Sequence, residues 1–140
     1  MIAKQMHNIS DLQLLFFPDF STQEATLVVY EGGKKVPFSI ARLFTVKAAQ
    51  KCTRGFHAHK ECTQLLMVLS GECKVACDDG GIRKDIILNN PSEGLLIPPT
   101  IWAEQEYQPN TVLMVLTDKH YDENDYLRDY NEFLSFRNSK

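Results

Sequence analysis

Long apolar runs, clustered positive charge and paired cysteines are all missing from this sequence. The opening segment MIAKQMHNISDLQLLFF has neither the unbroken apolar stretch nor the small-residue cleavage site of a secretory signal, so we expect a cytoplasmic protein without membrane contact. Its 15 lysines and arginines are scattered among 18 acidic residues, for a net charge of −3. Because nucleic-acid phosphates require a concentrated basic surface, nucleic acid is not an expected partner.

The 4 cysteines form no CxxC pair and have no spacing typical of a zinc site. We therefore expect free thiols that behave as small apolar side chains. With 140 residues, 44% of them hydrophobic and 24% charged, the chain has the length and composition of a globular protein. We expect a single domain over residues 1–140.

Short β-type segments separated by turn signals fill most of the chain. They read TLVVY, FSIARLFTV, TQLLMVLSG, ECKVAC, IRKDIIL, LLIPP, TIWAEQEY and TVLMVLT. This pattern is typical of an all-β sandwich or barrel. Asp79 to Gly81 predicts a hairpin turn, because residues free to adopt positive φ suit the tight turns between twisted strands.

Only the C-terminal tail departs from the β pattern. Tyr126, Tyr130 and Phe133 recur there at helical intervals. The tail therefore predicts one short C-terminal helix, with Asn124 or Asp125 as its N-cap.

The segment TRGFHAHKECTQ contains two histidines one residue apart, His57 and His59. Alternate side chains of a strand share a face, so both imidazoles are predicted to line one wall of a pocket beside Arg54 and Gln64. An imidazole has an ordinary pKa of about 6.5 and exchanges protons near neutral pH. This pair is the main candidate for acid–base chemistry.

The spacing around the pair resembles the cupin signature, in which HxH is followed by Glu, then Gly, and later by a Pro-x-Gly-x-x-His segment. Gly71 and Pro98 fit this frame, and Thr100 stands at the second glycine position. Gln64 takes the Glu position and Ala103 the position of the third histidine. Because stable first-row metal sites usually need three or four protein donors, we expect no metal.

Longer motifs make the chain similar to one cupin family, the dTDP-4-dehydro-6-deoxy-D-glucose 3,4-ketoisomerases. The motifs are VPFSIARLF, RGFHAHKECTQ, LSGECKV followed by DDG, LLIPPTIW and YDENDYLRDYNEFL. The resemblance implies a cupin jelly-roll β-barrel and a homodimer with exchanged N-terminal strands, so residues 1–10 are expected to form a swapped or loose arm. It also implies isomerisation of a dTDP-linked keto-deoxysugar without metal or cofactor, in the biosynthesis of dideoxyaminosugars of O-antigen or S-layer glycans.

The resemblance assigns the proton transfers to His57 and His59, and it points to Arg42, Arg54 and Arg128 as contacts of the sugar pocket and the pyrophosphate. Moving a ketone from C4 to C3 requires removal of the C3 proton, an enediol, and a proton placed on C4, which one base and one acid can perform. A histidine base must be neutral, so the rate is expected to fall below about pH 6.

Other residues have two possible roles. The amide of Gln64 or an arginine is expected to stabilise charge on the C4 oxygen. Trp102 either stacks on thymine or anchors the core, and Arg128 either forms a salt bridge in the helix or contacts a phosphate. Thr45 is a departure from the family, which often has a tyrosine facing the sugar at that position.

Three other functions fit part of the pattern. A non-catalytic sugar- or nucleotide-binding cupin would keep the fold without turnover. A metal-dependent enzyme would combine the two histidines with ligands such as Glu61 or Glu104. A dTDP-sugar epimerase would exchange hydrogen at C3 or C5, but it normally pairs its histidine with an acid, and no aspartate is expected beside the HAH segment. The motifs leave the C4 configuration of the product open between galacto and gluco.

Overall fold

The computed structural model describes residues 6–139. The strands and the helix follow in chain order as β1 (Gln13–Phe16), β2 (Arg42–Ala48), β3 (Cys52–His59), β4 (Gln64–Ser70), β5 (Cys73–Asp78), β6 (Arg83–Leu88), β7 (Glu93–Ile97), β8 (Trp102–Tyr107), β9 (Thr111–Thr117), β10 (Tyr126–Leu127) and α1 (Tyr130–Asn138). Single turns of 3₁₀ helix, Ile9–Asp11 and Glu123–Asp125, precede β1 and β10.

The strands form two antiparallel sheets of 5 strands each. The first sheet has the order β1-β7-β4-β9-β2, and the second has the order β10-β3-β8-β5-β6. One core lies between them, because buried side chains of both sheets, such as Leu66 and Val75, belong to the same apolar cluster. The all-β architecture with one short C-terminal helix confirms the fold class expected from the sequence.

The first sheet is apolar on both faces. In β4, Leu65, Leu66, Met67 and Val68 are all at most 1% exposed, a continuous run typical of a strand covered on two sides. Leu66 and Val68 face the core between the sheets. Leu65 and Met67 face a second apolar cluster, here called the outer cluster, to which the segment 17–38 contributes.

The second sheet is apolar only in part. Its inner face adds Cys73 and Cys77 to the core, and all four cysteines are free, as expected. On its outer face, Trp102 packs with Phe133 of α1. Elsewhere the outer face carries charged side chains such as Glu106, so this sheet has the alternation of a strand that is half solvated.

Most predicted segments are strands, and β9 spans the whole of TVLMVLT. The Asp79–Gly81 turn joins β5 to β6, with the amide of Asp79 donating to the carbonyl of Ile82 (3.1 Å) and Gly80 at φ 91°, which confirms the hairpin. The prediction of a strand at TLVVY is wrong. Only Val28 pairs there, as an isolated bridge, because this segment lies across the outer cluster.

The helix α1 begins later than expected. It starts at Tyr130, and its N-cap is Asp129, whose side chain accepts a hydrogen bond from the amide of Glu132 (3.0 Å). The prediction of Asn124 or Asp125 as the cap is therefore wrong. The pattern D-x-x-E that begins at Asp129 resembles the signature of a capping box and marks the true start.

The residues before α1 are extended instead of helical. Tyr126 and Leu127 form β10, which pairs with His59 and Ala58 at the end of β3. Strand pairing with β3 holds this stretch in the β conformation despite its helical spacing of apolar residues. The difference matters because β10 lies beside the histidine pair.

Residues 1–5 of the predicted N-terminal arm lie outside the described residues. Residues 6–10 contact their own chain: the amide of His7 donates to Thr100 Oγ1 (2.8 Å) and the amide of Ile9 to Asp79 Oδ2 (3.0 Å). β1 pairs with β7 of the same chain. An exchange of N-terminal strands would form the same ladder between two subunits. Within residues 6–139, no helix has the length and apolar character needed to cross a membrane.

Candidate active site

A bulge in β3 shapes the wall that carries the histidines. Gly55 (φ 94°) and Phe56 (φ 53°) have left-handed backbone conformations, and the register against β8 shifts between Gly55 and His57. In a regular strand, residues 54 and 57 would face opposite sides. The extra residue of the bulge lets Arg54, its cross-strand partner Gln105 and His57 line the same cavity.

The bulge requires a glycine at position 55. A Cβ atom there would lie 2.5 Å from Gln105 Oε1 and 3.0 Å from the carbonyl oxygen of Ala103. A positive φ also favours glycine over residues that carry a side chain. The glycine of the RGFHAH motif is therefore explained by backbone geometry.

A cavity of about 90 Å³ lies inside the barrel beside the bulge. Its polar lining comes from Arg54, His57, Gln64 and Gln105, and Phe44 is among its apolar lining residues. Pockets that enclose a whole small ligand measure about 300 to 1,000 Å³. This cavity is therefore large enough for only part of such a ligand. It brings together Arg54, His57 and Gln64 of the predicted site residues, whereas His59 is buried and is not among its lining residues.

His57 is held in one tautomer. Its Nδ1 lies 3.0 Å from the carbonyl oxygen of Gly55, and because a carbonyl only accepts, Nδ1 carries the proton and Nε2 keeps the lone pair. Burial lowers the pKa of His57 to about 4, although the hydrogen bond to Gly55 acts in the opposite direction. The ring is therefore neutral at neutral pH, as a general base must be.

His59 is paired with a carboxylate. Asp125 Oδ2 lies 2.8 Å from His59 Nδ1, and Asp125 Oδ1 accepts the backbone N–H of Glu61 at 2.7 Å. Burial by itself would raise the pKa of Asp125, but the hydrogen bonds from His59 and from the amide of Glu61 outweigh burial and lower it. Asp125 is therefore ionised at neutral pH, and His59 carries its proton on Nδ1.

The expectation that no aspartate lies beside the HAH segment is therefore wrong. Asp125 follows His59 by 66 residues and reaches it because β10, the next two residues, pairs with the end of β3. Local spacing gives no sign of this contact. The acidic motif DEND before a tyrosine is the one feature of the sequence that could have drawn attention to it.

Tyr126 is a second site residue that sequence reasoning missed. Its ring centroid lies 4.4 Å from that of His59 and 5.1 Å from that of His57. The guanidinium of Arg128 lies 4.1 Å from the centre of the Tyr126 ring, and Arg42 Nη1 is 3.5 Å from the Tyr126 hydroxyl. Tyr126 therefore lies between the histidine pair and two of the predicted arginines.

Arg128 already has an acidic partner. Its Nε and Nη2 donate to the two carboxylate oxygens of Glu123 at 2.7 and 3.0 Å. Hydrogen bonds from Arg128 lower the pKa of Glu123 to about 2. The side chains are about half exposed, so a phosphate would reach Arg128 by sharing or displacing Glu123.

The cupin-frame positions meet around His57. Gln64 is buried and lines the His57 cavity, while Ala103 is the cross-strand partner of His57. Thr100, at a glycine position of the frame, has a positive φ of 70°, and its amide donates to the carbonyl of His59 (2.7 Å). The frame is kept in space, but an amide and a methyl group stand where two metal ligands would be.

Another donor set lies behind His59. Ligand atoms of His59, Cys62 and Asp125 are within 4.8 Å of one another. Burial, together with the negative charges of Asp118 and Asp125, raises the pKa of Cys62 to about 12, and its Sγ donates to the carbonyl of Thr63 (3.5 Å). Both oxygens of Asp125 are also engaged in hydrogen bonds. This set therefore fits a histidine–aspartate pair better than a metal.

Two residues lie away from the histidine cavity. Trp102 is 4% exposed, its ring packs against Tyr130 and Phe133, and its Nε1 donates to Glu104 (2.9 Å), so it occupies the α1 side of the second sheet. Thr45 is exposed, because strand alternation places Phe44 and not Thr45 in the cavity lining. The side chain at position 45 therefore does not enter the cavity.

Comparison with known proteins places this geometry in a family. The family model FdtA, described as WxcM-like, C-terminal, matches residues 10–138. A TDP-4-oxo-6-deoxy-alpha-D-glucose-3,4-oxoisomerase from Aneurinibacillus thermoaerophilus is 38% identical over 128 residues, which cover 89% of this chain and 91% of that protein.

Solved structures agree with this match. A 3,4-ketoisomerase from Helicobacter canadensis is 37% identical with a TM-score of 0.87, covering 92% of this chain and 98% of that one. A mutant of the 3,4-ketoisomerase QdtA from Thermoanaerobacterium thermosaccharolyticum, in complex with TDP-4-keto-6-deoxyglucose, is 32% identical with a TM-score of 0.87, covering 95% and 100%. From the sequence match and the shared fold it follows that the chain belongs to the FdtA family of WxcM-like proteins.

Proposed function

We propose that this protein is a sugar-nucleotide 3,4-ketoisomerase that converts dTDP-4-dehydro-6-deoxy-D-glucose into a dTDP-3-dehydro-6-deoxyhexose. One observation carries the proposal: His57 is a neutral imidazole in the lining of a cavity, and the ring centroid of His59 is 5.1 Å from its own. The names of the relatives support it, since two are 3,4-ketoisomerases and one is a 3,4-oxoisomerase.

His57 moves the carbon-bound proton. Its Nε2 lone pair takes the proton from C3, which the neighbouring C4 carbonyl makes acidic. The C3–H electron pair becomes the C3–C4 double bond, and the carbonyl π pair moves to the C4 oxygen. The proton on Nε2 exchanges with solvent while the enediol is bound, and the same nitrogen then delivers a proton to C4. Each such acid–base contribution is worth about 10² to 10⁴ in rate.

His59 moves the oxygen-bound proton. Its Nε2 accepts the proton of the C3 hydroxyl and delivers it to the C4 oxygen, so the C3 oxygen becomes the new carbonyl. Both histidines finish in the state in which they began. The sum is the transfer of a ketone from C4 to C3 with no atom or electron gained or lost.

Polar residues near the histidines bind and stabilise the substrate. Gln64 and Arg54 share the cavity with His57 and stabilise the enediolate charge on the C4 oxygen. Arg42 and Arg128, which both contact Tyr126, supply positive charge for the diphosphate outside the cavity. We assign no substrate contact to Trp102.

The wider organisation follows the same family pattern. The proposal takes residues 1–140 as a single cupin domain of a cytoplasmic homodimer with exchanged N-terminal strands, acting without a metal in dideoxyaminosugar biosynthesis for O-antigen or S-layer glycans. Exposed apolar side chains before and within β2 support a partner subunit: Phe20, Leu27 and Leu43 are 63%, 54% and 56% exposed.

The test is direct turnover. The chelator-treated protein is incubated in D₂O with dTDP-4-dehydro-6-deoxy-D-glucose and followed by proton NMR, beside His57→Asn and His59→Asn variants. We expect a 3-keto product with solvent deuterium at C4 from the wild type and none from His57→Asn. The coupling constants of the product give its C4 configuration.

Other outcomes identify other functions. Binding without product or exchange would make the protein a non-catalytic sugar-nucleotide-binding cupin. Exchange at C3 or C5 while the carbonyl stays at C4 would make it an epimerase. Loss of activity with chelator and recovery with a metal would overturn the metal-free mechanism.

A further inference from the structure

The two histidines differ in the group that holds Nδ1. For His57 this group is the neutral carbonyl of Gly55 at 3.0 Å, and for His59 it is the carboxylate of Asp125 at 2.8 Å. A carbonyl fixes a tautomer but offers little to a positively charged ring. A carboxylate fixes the same tautomer and also stabilises the imidazolium, because the hydrogen bond is then between two charges.

Asp125 is itself held firmly. The exposed fractions of the His59 and Asp125 side chains are 7% and 14%, so the contact is shielded from water. The second oxygen of Asp125 accepts the backbone N–H of Glu61 at 2.7 Å. With one oxygen on the backbone and the other on the ring, the carboxylate cannot rotate without losing a hydrogen bond.

The far nitrogen of His59 has a different situation. Nε2 is buried and has no hydrogen-bond partner among residues 6–139. Leaving a buried polar atom unpaired is unfavourable, and native structures rarely do so without a functional reason. A nitrogen that accepts a proton from the substrate during the reaction would have such a functional reason.

We propose that Asp125 is a positioning residue of the reaction, a role that rests on the proposed function. Asp125 holds His59 in the Nδ1–H tautomer, which leaves Nε2 as the only ring nitrogen able to accept the C3 hydroxyl proton. It then stabilises the positive ring until that proton passes to the C4 oxygen. Asp125 thereby gives the two histidines separate tasks.

The first experiment needs no variant of Asp125. The full-length protein is labelled with ¹⁵N-histidine, and the His59 signals are assigned by their loss in His59→Asn. We expect Nδ1 of His59 to show the shift of a protonated nitrogen and Nε2 that of an unprotonated one at neutral pH. An Nε2–H tautomer in the wild type would overturn the proposal.

The second experiment uses Asp125→Asn, which keeps an oxygen for the Glu61 amide and turns an NH₂ group towards His59. The ring should then change to the Nε2–H tautomer, and kcat for dTDP-4-dehydro-6-deoxy-D-glucose should fall by about 10²-fold or more, with KM changed less than about 3-fold. The matched control is Asp122→Asn, since Asp122 caps the Glu123–Asp125 turn through the amide of Asn124 (3.0 Å) and asparagine can do the same. It should retain wild-type kcat and tautomer.

The outcomes separate this inference from the proposed function. A wild type that does not turn over the keto-sugar overturns both. An active wild type whose Asp125→Asn variant loses less than about 3-fold in kcat overturns only the role of Asp125. An equal loss in Asp122→Asn also overturns it, because the effect would then come from the shape of the turn.

Discussion

The two sheets of the barrel carry different kinds of residue. The central strand β4 of the first sheet is buried on both faces, with Leu66 in the core and Leu65 in the outer cluster. The second sheet carries the histidine pair on β3 and the charged side chains of its outer face. The difference indicates a division of labour, in which one sheet supplies most of the apolar burial and the opposite sheet accommodates groups that are unfavourable in a core.

The energetically unfavourable features of the site are concentrated in one strand. β3 contains a two-residue stretch with positive φ, a histidine whose pKa is lowered to about 4 and a buried nitrogen without a partner among the described residues. Features of this kind cluster at functional sites because the surrounding structure can support them. The following predictions test whether stability and chemistry are separated as this comparison suggests.

The largest effect is expected from the second sheet. His57→Asn should lower kcat by about 10² to 10⁴, because the carbon-bound proton loses its base, while the free energy of unfolding at neutral pH changes little. Steady-state kinetics and urea unfolding measure the two quantities. The control is His120→Asn, an exposed histidine outside the cavity lining, which should behave as wild type. Equal kinetic losses in both variants would contradict the assignment.

In the first sheet the expectation is reversed. Leu65→Ala should lower the free energy of unfolding by about 2 to 5 kcal/mol, because Leu65 is fully buried in the outer cluster, while kcat of the folded protein is unchanged. Leu69→Ala, in the same strand but 39% exposed, should cost much less. A large fall in kcat for Leu65→Ala below its melting temperature would show that the sheets are not independent.

Acid should affect stability through His57. Its pKa of about 4 in the folded protein is below the ordinary value of 6.5, so the unfolded chain binds a proton first as the pH falls. Because of this residue, the free energy of unfolding is highest above pH 6.5 and falls by at most about 3 kcal/mol as the pH decreases to 4. Urea unfolding of wild type and His57→Asn from pH 7 to pH 4 measures it as the difference between the two curves.

The lowered pKa of His57 also changes the expected pH dependence of the rate. An unperturbed imidazole predicts a rate loss below about pH 6, whereas the buried His57 predicts a kcat/KM that stays level to about pH 5 and falls near pH 4. A midpoint at pH 6 in kcat/KM would show that His57 is more solvated in the free protein than the structure indicates.

The smallest effect is expected at the bulge in β3, where one substitution should change both stability and kcat. Gly55→Ala should lower the free energy of unfolding by about 1 to 3 kcal/mol and also reduce kcat, since the bulge that aligns Arg54 with His57 must shift. Gly33→Ala is the control: Gly33 also has a positive φ (74°), but nothing lies within 4 Å of its added Cβ. The excess loss in Gly55→Ala therefore measures the clash of the added Cβ with Gln105 and the Ala103 carbonyl. Equal losses would contradict it.

The sequence predicted correctly those elements whose structure depends on residues close to one another in the chain. The strand β9 and the Asp79–Gly81 hairpin follow from apolar runs and turn residues. The segment TLVVY has the same composition as a strand, yet it covers the outer cluster, because composition does not distinguish pairing within a sheet from packing across it. The start of α1 was missed because pairing with β3 overrides the helical spacing around Tyr126.

The sequence by itself determined the all-β fold, the alternation that puts His57 and His59 on one face of β3, and the loss of two cupin ligands at Gln64 and Ala103. These features depend on residue type and near-neighbour spacing, which the chain states directly. Tertiary structure alone decided that Asp125 reaches His59, that the bulge brings Arg54 into the cavity and that burial holds His57 neutral. Each of these depends on contacts between strands distant in sequence, or on exclusion of water, and neither is encoded in any short stretch of the chain.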